Sequence, residues 1–334
     1  MAKNQVTSID VAKLAGVSQP TVSRAFDLGS PVSPKTRARV MAAATEIGYM
    51  PNAIARSLRS HSTNIVGIVM VNLASSFFYP NVLEKFTHQL QAMGKQVLLF
   101  NAQPDRSVDE VLPQVLGYQV DALIIASTTP GQKIIEACTR MGTPVILFNR
   151  FAPETQANVV CCDNEDGGRK AASALLDAGC QRIAYMAGAS GTATNQMREK
   201  GFMEQLAARG YEGCMRDEGD YTYENGRFAA RRLLDRDNPP DAIFCAADVM
   251  ALGALDVARY ELGIRVPEQL SIIGFDDIPM ASWPAYDLTT IRQPVDQMVD
   301  ATIKLICHEE DELPTNVAKL LPGELIVRGS VRIN

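Results

Sequence analysis

The chain has 334 residues, 46% hydrophobic and 21% charged, with a net charge of −6. This is the composition of a globular protein long enough for two or three domains, and it excludes a disordered or fibrous chain. No apolar run approaches the roughly 20 residues that span a bilayer, and no signal-peptide core follows the N-terminus, so a cytoplasmic protein with no membrane partner is expected. The charge is uneven: residues 1–60 carry +5, which leaves −11 on the remainder. A basic N-terminal module on an acidic body is the asymmetry of a chain whose first segment meets phosphate. Seven scattered cysteines with no C-x-x-C pair predict reduced, buried thiols and no disulfide or zinc framework.

Thr7 to Phe26, TSIDVAKLAGVSQPTVSRAF, predicts two short helices joined by a tight turn. Thr7 caps the first, with Asp10 at the capping-box position. Ile9, Ala12, Leu14 and Ala15 supply its apolar face. Gly16 ends it, where a positive φ is cheapest for glycine. Ser18 caps the second helix, and Pro20 falls in its first turn, where a missing N–H costs little. Val22 and Phe26, four residues apart, must face the first helix, which leaves Gln19, Pro20, Ser23 and Arg24 on the outer face. Such a unit is a helix-turn-helix, whose second helix enters the major groove of DNA; an αα-hairpin in an enzyme core is the alternative. Ser33-Pro34 opens a third helix to Ile47, with Val40, Ala44 and Ile47 as its core stripe. Lys35, Arg37 and Arg39 suit phosphate contacts or a solvated basic face. Tyr49-Met50-Pro51 reads as a linker. Residues 52–59, NAIARSLR, are helix-compatible but too short to be stable alone in water. Leu58 between Arg56 and Arg59 suits a minor-groove wedge, and a plain interdomain linker has the same composition.

From Asn64 onward, apolar runs of four to seven residues alternate with helices, which predicts parallel sheet covered on both faces. Strands are expected at 65–71, 97–100, 122–126, 145–148, 159–162, 183–187, 243–246, 271–275 and 324–331. So many strands in a single sheet would be unusual, so two lobes of similar size are expected. Ligands of open parallel sheets sit beyond the carboxyl ends of the strands. The polar residues there are 72–78, Ser127-Thr128, Asn149-Arg150, Asp163-Asn164, 188–198, Asp248 and Asp276-Asp277. Paired aromatics, an arginine and a carboxylate suit a sugar, and they would also suit a nucleobase. Each residue taken singly is as readily a helix cap or a solvated loop.

These residues resemble the lactose/galactose-repressor (LacI/GalR) family of bacterial transcription regulators. The most specific match is DVAKLAGVSQPTVSRAF (10–26) followed by VSPKTRARVMAAATEIGYMPNAIARSLRS (32–60). The body adds NR (149–150), CDNEDGG (162–168), GFMEQL (201–206), ADVMALGAL (247–255), IIGFDDIP (272–279) and LTTIRQP (288–294). All of them in this order cover essentially the whole length.

The resemblance implies an α/β chain: a three-helix helix-turn-helix headpiece (1–50), a hinge helix (51–61), and a two-lobed effector domain like periplasmic sugar-binding proteins. Its N-lobe would be 62–162 with 293–320, and its C-lobe 163–292 with 321–334. It implies a homodimer on a near-palindromic operator in double-stranded DNA, most often as a repressor. Gln19, Pro20 and Arg24 would read bases, Arg24 as a bidentate guanine contact. Ser18, Thr21 and Ser23 would lie near phosphates, as would Thr7 at the start of the first helix. Asn52, Ala55 and Leu58 would belong to the hinge helix, with Leu58 as the wedge. Effector contacts would be Phe77, Phe78, Arg150, Thr194, Arg198, Tyr221 and Asp276. Arg150, where some members carry Asp, and Ala247, where some carry Asn, depart from the sugar-binding pattern. Arg150 beside Arg198 favours an acidic or phosphorylated sugar. A purine or other metabolite as effector, and an activator of the same family, are the alternatives.

An enzyme is the main rival. There is no G-x-G-x-x-G after a strand, no Walker motif and no G-x-S-x-G elbow, and the three histidines (61, 88, 308) are not at strand ends. No catalytic residue, metal or cofactor is therefore expected. No heptad pattern follows the final strand, so assembly beyond a dimer is not expected.

Overall fold

The structure, a computed structural model, describes residues 6–27, 29–51, 62–71, 73, 77–102, 108–126, 131–152, 155, 157–307 and 317–332, the side chains of residues 108 and 134 excepted. The chain divides into two compact units, Met1–Thr63 and Asn64–Asn334.

The first unit holds α1 (Ser8–Ala15), α2 (Gln19–Ala25) and α3 (Pro34–Glu46). The Asp10 carboxylate accepts from the Thr7 amide (2.9 Å) and hydroxyl (2.7 Å), which holds its pKa below the usual carboxylate range. Gly16 adopts φ +60°, and the next amide, Val17 N–H, donates back to Ala12 O (3.0 Å). Ser33 Oγ accepts from Thr36 N–H at 3.2 Å, capping α3. The core is Val11, Ala12, Ala15, Val22, Ala25, Val40, Ala43 and Ala44. Small side chains let three short helices close on one another. Ile9 and Leu14, expected inside, are about half exposed, and Val11 takes their place. At 100° per residue both lie roughly 110° from the middle of the 11–12–15 stripe. Tyr49 is no mere linker: its ring meets Phe26 edge-on at 5.8 Å, and its amide donates to Ala44 O at 2.8 Å.

The second unit holds two six-stranded sheets among the described residues. The first contains β1 (Ile65–Val71), β2 (Gln96–Ala102), β3 (Ala122–Ala126), β4 (Val145–Phe148), β5 (Asn158–Asp163) and β11 (Ala318–Pro322). They lie in the order β11-β5-β4-β3-β1-β2, all parallel. The second contains β6 (Ile183–Ala187), β7 (Met215–Glu218), β8 (Ala242–Cys245), β9 (Ser271–Asp276), β10 (Thr289–Arg292) and β12 (Glu324–Ile326). Their order is β12-β10-β9-β8-β6-β7, parallel except for β10 with β12. The chain crosses between the halves after β5, after β10 and at Gly323 between β11 and β12. Alternation along β1 shows both faces covered: Ile68 packs with Phe86 and Leu90 of α4 (Tyr79–Ala92), and Val69 shares a cluster with Leu112 and Val115 of α5 (Val108–Gly117) and Ile135 of α6 (Gln132–Arg140). β7, β10 and β11 escaped the sequence because they are short and carry charge or hydroxyls, β7 and β11 with outward-facing residues. Five cysteines are buried and two half-buried, all as thiols. Among the described residues no helix is long and apolar enough to cross a membrane.

The second half is set by close helix contact. A Cβ on Gly168 of α7 (Asn164–Asp177) would stand 2.3 Å from Arg198 O, and one on Gly201 of α8 (Ala193–Ala208) would stand 2.0 Å from Glu165 O. Only glycines let these two helices meet backbone to backbone. That approach puts Arg198 beside Asn164.

Candidate functional site

On the first unit, Thr7, Ser18, Gln19, Pro20 and Arg24 are exposed and Thr21 and Ser23 half-exposed. Gln19 Nε2 donates to Ser8 Oγ (3.1 Å), tying the second helix to the first. Arg24 Nε donates to Pro20 O at 3.4 Å, and Ser18 and Thr21 share a hydroxyl hydrogen bond of 2.9 Å. A polar face on a short helix after a glycine turn has the geometry of a major-groove reader. Arg37 does something else. Its guanidinium donates to Ala25 O, to Asp27 O (3.0 Å) and to Ser30 O (3.1 Å). It thus caps the carbonyls leaving α2, where the helix dipole favours a cation. Asn52, Ala55 and Leu58 lie outside the described residues, as do 72, 74–76 and 127–128.

In the second unit the expected effector residues come from both halves. Arg150, just past β4, donates from Nη1 to Thr194 Oγ1 on α8 at 3.4 Å, bridging the halves. Arg198 is 2% exposed, and every side of it is engaged. Nε donates to Asn164 Oδ1 (2.8 Å), Nη1 to Ala246 O, and Nη2 pairs with Asp276 Oδ1 (3.5 Å), while the guanidinium stacks on Phe275 at 3.6 Å. Tyr221 has φ +56°, and its ring covers Gly188, where a Cβ would meet it at 2.0 Å. Burial pushes its phenol up, and Arg198 and Arg150 oppose this, so all three are neighbours. Asp276 sits at φ +123°, an outlier for a non-glycine residue. Phe78 is buried against Tyr79 (5.3 Å, edge-on), and Phe77 is 47% exposed.

Phe77, Phe78 and Asp276 line a cavity of about 380 Å³, together with Asn81, Gln293 and Pro279. Arg150, Thr194, Arg198 and Tyr221 do not line it, and Arg198 reaches it only through Asp276. Sequence reasoning missed two residues here, Gln293 and Tyr79, and gave a third, Asp248, no role. Gln293, 3% exposed, donates from Nε2 to Asp276 Oδ1 (2.6 Å), which turns its Oε1 away as a buried acceptor without a partner among the described residues. It follows the end of β10, a strand the apolar pattern did not reveal. Tyr79, beside Arg150 and Asp276, is masked as an ordinary helix-start residue. Asp248 is a strand-end candidate in the sequence, and the structure gives it a bracing role. Fully buried, it accepts from Thr290 Oγ1 (2.6 Å) and Ile278 N–H (2.9 Å), so it braces the loop that carries Asp276. Burial raises its pKa well above the carboxylate range, and the charge of Asp276 adds to this. The Asp276 pKa is raised by burial and held back by Arg198.

Residues 8–52 match the profile of the bacterial regulatory proteins of the lacI family, and residues 172–331 that of a periplasmic binding protein-like domain. The HTH-type transcriptional regulator CelR of Thermobifida fusca is 33% identical over 329 residues, 96% of each chain. The chain belongs to the lacI family of bacterial regulatory proteins. It is a DNA-binding transcriptional regulator and not an enzyme. Among solved lacI-family structures, the lac repressor dimer bound to operator and the anti-inducer ONPF superposes with a TM-score of 0.86 at 29% identity, covering 99% of this chain and all of that one. The transcriptional regulator CelR–cellobiose complex gives 0.71 at 32%, covering 98% and 100%.

Proposed function

We propose that this lacI-family regulator is a cytoplasmic repressor that binds a near-palindromic operator as a homodimer and responds to a sugar-type effector held between the two halves of residues 64–334. The observation that carries the effector reading is a polar cavity lined from both halves, by Phe77 and Phe78 on one side and Asp276 and Pro279 on the other, with the Arg150–Thr194 bridge joining the same two halves. The CelR complex with cellobiose and the lac repressor dimer on its operator support it by likeness. A ligand there changes the angle between the halves only by the difference in its affinity for the two arrangements. Arg198 is already paired with Asp276, so an acidic or phosphorylated sugar, the alternative, rests on Arg150.

On DNA, Gln19, Pro20 and Arg24 read bases while Thr7, Ser18, Thr21 and Ser23 meet the backbone. Residues 51–61 form the hinge, with Asn52, Ala55 and Leu58 toward the minor groove, between a headpiece of 1–50 and the two lobes. Operator selection with the purified protein, with and without a panel of sugars and purines, tests this. Recovered two-fold sites whose retention changes with sugars are expected; sites insensitive to every sugar overturn the effector reading. Arg24→Ala should weaken operator binding by about 1–3 kcal/mol and relax one base pair. Leu58→Ala should weaken operator binding more than nonspecific binding, and equal losses would remove the wedge.

A further inference from the structure

We propose that Lys170 is a positioning residue of this regulator: it ties the third crossing between the halves to α7 and so holds the halves in the arrangement from which operator is bound. This rests on the reading above that the angle between the halves governs DNA binding.

The strand pairing dictates where that angle is taken up. Pro322, the last residue of β11, pairs with Asp163 in the first sheet, and Glu324, the first of β12, pairs with Arg292 in the second. A single residue, Gly323, therefore separates the two ladders. Paired strands move with their sheets, and the backbone is soft only at φ and ψ. At this crossing, a change of angle between the sheets has to pass through Gly323 and the peptides on either side of it. The other two crossings touch the same point. A Cβ on Gly323 would stand 2.8 Å from Ile291 Cγ2, 3.2 Å from Arg292 O and 3.4 Å from Cys162 Sγ. Ile291 and Arg292 close β10 before the second crossing, and Cys162 stands one residue before β5 ends at the first.

Lys170, half-buried on α7, reaches this point. Its Nζ donates to the Gly323 carbonyl at 2.6 Å and pairs with Asp166 Oδ2, one turn back on the same helix, at 2.7 Å. The carbonyl it holds belongs to the peptide that must turn when the angle changes. The donor is charged, which makes the bond one of the stronger kind. A contact that such a turn would break favours the arrangement in which it is made.

The full-length protein is compared with Lys170→Met and Asp166→Asn on the operator recovered by selection and on unrelated duplex DNA of the same length, with melting followed alongside. Lys170→Met should lower operator affinity roughly threefold or more by shifting the balance of arrangements. Its affinity for unrelated DNA should not change, because the headpiece is untouched. Asp166→Asn keeps the carbonyl contact and loses only a helix ion pair, so it should stay within about twofold of the parent on both DNAs. Operator affinity unchanged or raised in Lys170→Met would overturn the proposal, and so would equal losses on the two DNAs. A loss in Asp166→Asn as large as in Lys170→Met would also overturn it, since the pair would then support α7 alone. If no sugar alters operator binding by the parent while the Lys170→Met loss persists, the effector reading falls and the tie stands.

Discussion

In the first unit, the exposed polar side chains are held by partners 3, 4 or 11 residues away: Ser18 by Thr21, Arg24 by Pro20, Gln19 by Ser8. In the second unit, the buried ones reach across 34, 48 and 42 positions: Arg198 to Asn164 and Ala246, Thr290 to Asp248. The contrast follows from what each surface meets. A DNA reader must present donors to a groove, so its side chains stay at the surface and need only local support. A small-molecule cleft excludes water, so each charge inside it must be compensated by groups brought from elsewhere in the chain.

The largest test of this contrast is Arg198→Ala. It leaves Asp276 without its cation and Ala246 O and Asn164 without a donor. The second unit should lose about 3–5 kcal/mol, read by hydrogen exchange unit by unit, and the effector response should vanish. Protection in α1–α3 should not change. A loss under about 1 kcal/mol would mean that the buried network is not what holds the cleft.

Arg37→Met is the counterpart in the first unit. Losing hydrogen bonds from a charged donor to three carbonyls should cost about 1.5–3 kcal/mol. Exchange should quicken across α2 and α3 while the second unit is unaffected. Operator affinity should fall with it, since α2 carries Gln19, Pro20 and Arg24, the proposed base readers.

Asp248→Asn sharpens the comparison through pH. The folded chain binds the Asp248 proton more tightly than the unfolded chain does, since burial raises the pKa. The stability this group contributes is therefore full at and below the ordinary carboxylate range and falls as pH rises toward neutrality. The variant should lose about 1–3 kcal/mol where its amide N–H faces the Ile278 N–H. Its melting temperature should also decline less steeply over that pH range. An unchanged slope would remove Asp248 as the source. The smallest effect is expected from Thr7→Ala, about 1 kcal/mol confined to the first turn of α1.

The helix-turn-helix was legible because its determinants are local. A cap, a turn glycine and an i, i+4 pair specify two helices without help from the rest of the chain. Even there, Ile9 and Leu14 were misplaced, since an eight-residue helix leaves the phase of its stripe to the partner helices. Arg37 looked like its basic neighbours, and only the path of the loop after α2 turned it inward. In the body, the long apolar strands could be read one by one, while β7, β10 and β11 could not. Those strands exist because a neighbouring strand pairs with them. Arg198 and Asp276 were identified singly as effector contacts, with no sign that they neutralise each other.

The sequence alone determined which segments are helix and which long strands are buried, because periodicity and capping act over a few residues. It also determined where positive charge concentrates. The tertiary structure decided what a given charge is used for. Gly168 and Gly201 bring α7 and α8 into contact, that contact sets Arg198 beside Asn164, and β9 then delivers Asp276 to it. Electrostatic compensation depends on distance in space, and 78 positions of chain say nothing about a 3.5 Å approach.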